Sequence, residues 1–256
     1  MQAKTIALFV PLLAAAADLA PTGTLRASFL ADNPVQGRVD PKTGAVTGPV
    51  ADLAQELARR LKVPYKLIPA TGADKVIADV NGHDADIGFL AYETARATQV
   101  DFSDGYARMY NAFLVRADSP FQDSAAIDRS GGRVGAVKGQ SQQVYLSANF
   151  KRSKVVILST VPSQNELERL LVSGEIDAFG ANRQRVEEAA SLSQRLRVLT
   201  DNFSAAEQAI VIEKGAPDRM REINRFLDDV RASGFMKASL DRAKLVGVGV
   251  APARSR

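Results

Sequence analysis

An arginine in the first half of this sequence has neighbours that suit anion binding. Arg96 lies in the stretch YETARATQVDFSDGY, residues 92–106. A guanidinium presents a planar pair of N–H donors that matches a carboxylate, which the ammonium of lysine cannot imitate. We therefore predict that Arg96 binds the anionic group of a small solute. The alternative is a structural ion pair with Asp101 or Glu93.

A second anion-binding feature is predicted where KGQSQQ, residues 138–143, joins a strand to a helix. Free backbone N–H groups and the dipole at the start of a helix attract negative charge. Gln140 and Ser141 stand at this start, and Ser141 can cap the helix there while it faces the cleft. Ser141 could equally act only as the helix cap.

Residues for catalysis or metal binding are scarce. His83, the single histidine of the sequence, lies in a predicted helix-ending turn and Asp84 opens the next strand, so we predict no metal site there with Asp86. The sequence has no cysteine, no GxSxG, no phosphate-binding loop and no dinucleotide glycine fingerprint. We therefore predict no catalytic residues, no cofactor and a protein that is not an enzyme.

Strands and helices that position these residues alternate in two successive sets. The first reads TLRASFLA, PVADLAQELARRL, VPYKLIP, a helix over 75–80 and ADIGFLA; the second reads GRVGAVKG, SQQVYLSANF, KVVILS, SQNELERLLVSG and IDAFGAN. In both sets a glycine, Gly82 or Gly174, is predicted to take a positive φ at a helix C-terminus before an Asp-Ala pair opens the next strand. The pattern predicts an α/β protein of two similar lobes, each a mostly parallel open sheet flanked by helices.

Two extended apolar segments, MYNAFLVRADSP and NFSAAEQAIVIEKG, are predicted to cross between the lobes. The amphipathic helix DRMREINRFLDDVRASG is predicted to pack back on the first lobe. This arrangement assigns residues 21–110 and 207–256 to the first lobe and residues 111–206 to the second. Two crossings restrict the relative motion of the lobes to a hinge that closes on a ligand.

The composition suits folded lobes and gives no sign of a nucleic-acid surface. The chain has 256 residues, 46% of them apolar and 24% charged, with a formal charge of +4. Lysine and arginine are scattered singly among acidic residues and no stacking aromatics accompany them. We therefore predict no nucleic-acid partner, and we expect a monomer.

The start of the chain resembles a secretory signal. An apolar run, residues 6–17, is too short to span a bilayer and ends in small residues. We assign residues 1–20 to a signal peptide, with cleavage after a residue between Ala15 and Ala17, and predict a periplasmic protein. The alternative is an ordinary amphipathic first helix.

Four segments, in this order, resemble the family 3 extracellular solute-binding proteins, the amino-acid-type periplasmic receptors of ABC importers. They are GPVADLAQELARRL, GHDADIGFLAYETARATQVDFSDGY, RVGAVKGQSQQVY and SGEIDAFGANRQRV. The resemblance extends from about Thr24 to about Ala238. It implies a type II periplasmic-binding-protein fold, a ligand enclosed between the lobes and delivery to a membrane permease. It also implies that Arg96, Gln140 and Ser141 bind the ligand carboxylate.

The sequence departs from that family where the ligand amine would bind. Asn182 stands where many members place an aspartate, and an amide does not neutralise an ammonium. A carboxylate whose amine is absent or substituted is therefore favoured. Asn33 and Tyr92 complete the predicted polar contacts, although Asn33 could serve only the turn before Pro34 and Tyr92 could be a core residue.

The resemblance and the residues together predict the substrate-binding component of an ABC importer that captures a small carboxylate-bearing solute, an amino acid or a derivative. One alternative is an enzyme of dehydratase type on the same scaffold. It would need a protonated carboxylic acid such as Glu93, whose pKa we expect the nearby Arg96 to lower. The other alternative is a soluble ligand-sensing receptor.

Overall fold

The structure, a computed structural model, describes residues 18–253. The greater part of the predicted signal peptide, residues 1–17, lies outside the described residues. The helices are α1 Pro49–Leu61, α2 Ala73–Asn81, α3 Ser124–Ser130, α4 Ser141–Asn149, α5 Gln164–Val172, α6 Arg183–Ser191, α7 Pro217–Ala232 and α8 Phe235–Ala243, with a 3-10 turn at Arg96–Thr98.

The strands form one large sheet and a small hairpin. They are β1 Leu25–Leu30, β2 Arg38–Val39, β3 Val46–Thr47, β4 Tyr65–Ala70, β5 Ile87–Ala91, β6 Val100–Arg116, β7 Arg133–Val137, β8 Lys154–Leu158, β9 Ala178–Asn182, β10 Leu196–Val198, β11 Ser204–Glu213 and β12 Val248–Val250. The large sheet has the order β4-β1-β5-β11-β6-β9-β7-β8, with β10 and β12 paired to β6, while β2 and β3 pair only with each other.

Each half of the large sheet is parallel at its centre. Strand β1 pairs in parallel with β4 and β5, and β7 pairs in parallel with β8 and β9. The long strands β6 and β11 run antiparallel to each other between the two halves. The predicted α/β fold of two mostly parallel lobes with two crossing strands is confirmed.

Separate apolar cores stabilise the lobes. The core of the first lobe takes buried residues from 19 to 107 and again from 210 to 240, whereas that of the second takes residues 112 to 199. Helix α7 buries Ile223, Phe226, Leu227 and Val230 against the first core. Leu19 and Ala20, at the start of the described chain, are also buried there.

Helix α1 shows how the apolar pattern determines packing. Val50, Leu53, Leu57 and Leu61 repeat at helical spacing and are all buried in the first core. Burial of each such side chain contributes about 1.5–3 kcal/mol. The helix ends at Lys62, which takes a left-handed conformation with φ 58°.

Each lobe has an equivalent hydrogen bond from the backbone of an arginine near the start of a strand to an aspartate. The backbone N–H of Arg26 donates to Oδ2 of Asp86 at 2.8 Å, and Nη2 donates to Oδ1 at 2.6 Å. In the second lobe the backbone N–H of Arg133 donates to Oδ2 of Asp177 at 2.7 Å. Both aspartates immediately precede the strand that ends each βαβ set, which supports the predicted similarity of the lobes.

The turns before those strands differ in detail from the prediction. Gly174 has the expected positive φ of 72°, but Gly82 has φ −84° and the left-handed residue is His83, with φ 59°. Histidine tolerates this region better than most residues that carry a Cβ. Asp84 lies in the turn, and β5 begins only at Ile87.

Candidate functional site

A cavity of about 330 Å³ lies between the lobes, where the parallel strands in both halves of the large sheet end. The first lobe contributes residues 30–33, 70–73, Ala91 and Arg96; the second contributes residues 137–142, 159–161 and Asn182; the crossing strands contribute Met109 and Gln208. The carboxyl ends of parallel strands are the usual ligand-binding edge of open α/β sheets. The volume suits a small molecule, since such sites measure about 300–1,000 Å³.

Arg96 is buried in the cavity wall, with 7% of its surface exposed. Its Nη1 donates to the carbonyl oxygen of Ala91 at 2.8 Å, and its Nη2 donates to that of Gly139 at 2.7 Å. Burial lowers the pKa of Arg96, and Glu93 and Asp74 oppose that shift, yet a guanidinium stays protonated in proteins. Arg96 has five N–H donors, so the two carbonyl bonds leave donors for an anion.

The alternative for Arg96, a structural ion pair with Asp101 or Glu93, is not formed within residues 18–253. Asp101 instead accepts from the backbone N–H of Gly215 at 2.8 Å and pairs with Lys214 at 3.5 Å. The position of Arg96 therefore depends on backbone carbonyls from both lobes rather than on a carboxylate.

The start of helix α4 forms the facing wall. Gln140 holds the N-cap position and its side chain does not cap the helix, whereas Ser141 is the first helical residue. The prediction that Ser141 could be the cap is wrong, because the chain enters the helix one residue earlier. Ser141 is buried and lines the cavity, so the uncapped N-terminus faces the same space as Arg96.

Asn33 and Asn182 meet across the cleft. Nδ2 of Asn182 donates to Oδ1 of Asn33 at 3.4 Å, and Oδ1 of Asn182 caps α6 by accepting from the N–H of Arg185 at 2.9 Å. Oδ1 of Asn33 also accepts from the N–H of Val35 at 3.1 Å, as expected of a turn residue before Pro34. Both asparagines line the cavity, so the turn role and the cavity position of Asn33 coexist.

Tyr92 lies outside this cavity. It lines a neighbouring cavity of about 500 Å³ together with Glu93, Arg108 and Tyr145, and Ser141 borders both spaces. The ring of Tyr92 packs edge-on against Phe102, with centroids 5.2 Å apart. The other five predicted contacts, Asn33, Arg96, Gln140, Ser141 and Asn182, line the interlobe cavity together.

Glu93 behaves differently from the expectation. Burial raises the pKa of Glu93, and the opposing effect of Arg96 is smaller. Arg96 does lower this pKa, as expected, but burial has the larger effect and the net shift is upward; the sequence does not reveal how far the carboxyl is withdrawn from water. Glu93 nevertheless lines the neighbouring cavity and not the interlobe one.

Several cavity residues were missed by the sequence analysis. Asp32 contributes a carboxylate, which accepts from Nε2 of Gln140 at 3.5 Å, and Lys138 contributes an exposed cation. Gln142 donates from Nε2 to Oδ1 of Asn111 at 2.6 Å, and Gln208 accepts from Nε2 of Gln36 at 3.2 Å. The available signal was their position, since Asp32, Lys138 and Gln142 lie within five residues after a strand and Gln208 lies on a crossing strand.

Two wider searches of residues 18–253 were negative. The described residues contain no group of three or more histidine, aspartate or glutamate side chains that could hold a metal ion. In the same range, each helix is too short or too polar to cross a membrane.

Comparison with protein families identifies the class. Residues 25–243 match the model of the bacterial extracellular solute-binding proteins, family 3. The chain therefore belongs to this family, as its sequence segments indicated. The L-cystine-binding protein of Escherichia coli strain K12 is 25% identical over 198 residues, which cover 76% of this chain and 73% of that protein.

Solved structures with the same fold include amino-acid receptors. The arginine-binding protein ArgBP of T. maritima, as its P235GK mutant, superposes with a TM-score of 0.74 at 24% identity and covers 90% of this chain and 99% of its own. AncCDT-1, described as an ancestral amino-acid-binding protein and a precursor of cyclohexadienyl dehydratase, gives 0.73 at 23% identity, with 89% and 98% covered. The predicted type II periplasmic-binding-protein fold is confirmed.

Proposed function

We propose that this protein is the periplasmic substrate-binding component of an ABC importer and that it captures a small carboxylate-bearing solute, an amino acid or a derivative, in the interlobe cavity. The observation that carries the proposal is the position of Arg96, whose buried guanidinium contacts Gly139, beside the uncapped start of α4, in the wall of the cavity. Both groups favour the same charge on a ligand, and they come from different lobes.

Asn182 supports a solute whose amine is absent or substituted. Its amide oxygen already accepts from the N–H of Arg185, and its amide nitrogen donates to Asn33. An ammonium placed there would meet no opposite charge from this residue. Gly72 and Ala73 line the cavity without large side chains, which leaves space for a substituent.

The dehydratase alternative has less support than transport. Such an enzyme needs a proton donor in the ligand cavity. Although burial raises the pKa of Glu93, this residue lines the neighbouring cavity. A soluble ligand-sensing receptor would use the same cavity, so the identity of the membrane partner separates sensing from transport.

A thermal-shift screen of the signal-cleaved chain tests the proposal, because a ligand that binds only the folded state raises the melting temperature. The panel contains L-arginine, L-cystine, their N-acetyl derivatives and simple aliphatic and aromatic carboxylates, each with its matching carboxamide. A rise with carboxylates, but not with the matching amides, supports the proposal. An equal rise of the melting temperature with a carboxylate and with its matching amide contradicts it.

A further inference from the structure

The last described segment of the chain contacts both lobes, in addition to the two crossing strands and the contacts across the cavity. We define the C-terminal strap as residues 245–251, which follow α8 and include β12. Strand β12 pairs antiparallel with the first-lobe half of β6, where Val248 lies opposite Met109 and Val250 opposite Ala107. The N–H of Ala251 donates to the carbonyl oxygen of Tyr106 at 3.3 Å. This end of the strap is therefore part of the first lobe.

The other end of the strap touches the second lobe. The N–H of Val246 donates to Oε1 of Gln184 at 2.6 Å, and Gln184 lies in the first turn of α6. Nε2 of Gln184 donates to Oε1 of Glu188 at 2.6 Å, and Glu188 forms an ion pair with Arg38 of the first lobe. Gln184 is buried, with 8% of its surface exposed. The strap, α6 and the first lobe are thus connected by a continuous series of two hydrogen bonds and one ion pair.

Gly247 fits closely against the second lobe. A Cβ at this position would lie 2.6 Å from Cβ and 2.9 Å from Cδ of Arg183. The Arg183 side chain cannot easily move away, since its guanidinium donates to Oδ1 of Asn202 at 2.7 Å and to the carbonyl oxygen of Asp201 at 2.7 Å. Only a residue without a Cβ allows this approach, and the φ of 66° at Gly247 lies in the left-handed region that favours glycine.

We propose that the C-terminal strap is a positioning element for the ligand cavity. Arg183 and Gln184 directly follow Asn182, which caps α6 and lines the cavity. The strap contacts of these two residues join separate lobes, so they form only when the lobes are close. They stabilise the closed arrangement before any solute binds, and they increase affinity by increasing the closed population. The consequence for affinity rests on the proposed function, whereas the effect on closure does not.

The strap offers a matched pair of variants. Gly247→Ala would push the strap away from Arg183. Gly249→Ala, two residues along the same segment, meets no atom within 4 Å of its new Cβ. The sequence contains no cysteine, so spin labels can be placed at Ala78→Cys on α2 and Asn165→Cys on α5. These exposed positions lie on the helices that follow opposing cavity walls.

The experiment measures the distance between the two labels by pulsed electron resonance in the solute-free protein. We expect the parent and Gly249→Ala to share a short-distance population. We expect Gly247→Ala to decrease the ratio of short to long distances about two- to tenfold, as loss of a hydrogen bond and its packing would. Identical distributions for the two variants would overturn the proposal, and so would a parent without the short population.

Two further measurements keep the result decisive. If Gly247→Ala does not fold by circular dichroism, Gln184→Ala removes the acceptor of Val246 and takes its place, with the same expected change. Titration with L-arginine and with L-cystine then tests affinity. A distance change without binding of any screened solute would support the strap and count against the proposed function, whereas binding without a distance change would do the reverse.

Discussion

Nη2 of Arg96, on the first lobe, lies 2.7 Å from the carbonyl oxygen of Gly139, on the second lobe. The next residue along, Gln140, donates to the first-lobe carboxylate of Asp32. One short loop therefore contacts a cation and an anion of the opposite lobe at successive positions. A solute carboxylate at Arg96 would bind at the point where the lobes already meet, which couples binding to closure.

Arg96→Lys should weaken binding of the best carboxylate from the thermal-shift screen by about a hundredfold. Lysine cannot make the two parallel hydrogen bonds that a buried guanidinium makes to a carboxylate. Calorimetric titration measures the dissociation constant. The control is Lys138→Ala, which removes an exposed cavity cation and should change the constant less than about threefold. Affinity of Arg96→Lys within threefold of the parent would remove Arg96 from the site.

Asn182→Asp should shift the binding preference of the cavity toward amino acids with a free α-amine. The new carboxylate can still cap α6, but it faces Oδ1 of Asn33 without a proton to donate, and an ammonium between the two would relieve that repulsion. We expect the ratio of affinities for L-arginine and N-acetyl-L-arginine to rise about tenfold in the variant. Asn182→Ser, which keeps a cap without charge, is the control; an equal ratio in both variants would refute the idea.

Gly88→Ala should destabilise the first lobe by about 1–3 kcal/mol. A Cβ at Gly88, in β5, would lie 2.6 Å from Cγ1 of Val76 and 2.9 Å from Cγ2 of Val211, both buried. Urea unfolding gives the free energy of unfolding. Gly249→Ala, with open space around its Cβ, should stay within about 0.5 kcal/mol of the parent, and a similar loss in both variants would contradict the close packing of α2 on the sheet.

The stability contributed by Glu56 should depend on pH. Its carboxylate accepts from Nε of Arg59 at 2.7 Å and from Nε of Arg60 at 2.9 Å. These bonds, with Arg59 the larger cause, lower the pKa of Glu56 from 4.5 to about 2. A lowered folded-state pKa stabilises the protein above the unfolded value and loses that effect as the pH falls toward the folded value.

We therefore expect Glu56→Gln to decrease the free energy of unfolding by about 0.5–1 kcal/mol at pH 7, a small value because Arg59 is exposed and Arg60 only half-buried. The difference should shrink between pH 4.5 and pH 2.5. Urea unfolding at several pH values measures it. The matched variant Glu222→Gln, whose ion pair with Arg225 is at the surface, serves as control. A difference that does not change with pH would contradict the pKa.

Strongly periodic elements could be predicted from the sequence. The apolar repeat of PVADLAQELARRL gives α1 with its observed ends, and the alternating sets give the parallel order of β1, β4 and β5. Strand β12 and helix α3 were not predicted, because segments this short carry little periodicity. Strand β12 forms because it pairs with β6, which is distant in the sequence.

The sequence could not show which of the two cavities a residue near Arg96 would line. Tyr92 and Arg96 stand in one motif, yet the chain turns between them and directs Tyr92 to the neighbouring cavity. The pKa of Glu93 shows the same limit, since its direction depends on burial by residues far along the chain. Asn33, Gln140 and Ser141 could be predicted because each lies shortly after a strand. Asn182, the last residue of β9, was predicted because it stands where the family often has an aspartate.

The crossing strands also make the molecule modular. Asn111 on β6 lies opposite Ser204 on β11, so the chain enters and leaves the second lobe at neighbouring points, and the core of the first lobe takes no residue from the interval between them. Residues 112–203 therefore form one continuous segment with its own core. Exchange of this segment at its single junction would replace every residue that the second lobe contributes to the cavity and would leave Arg96 in place.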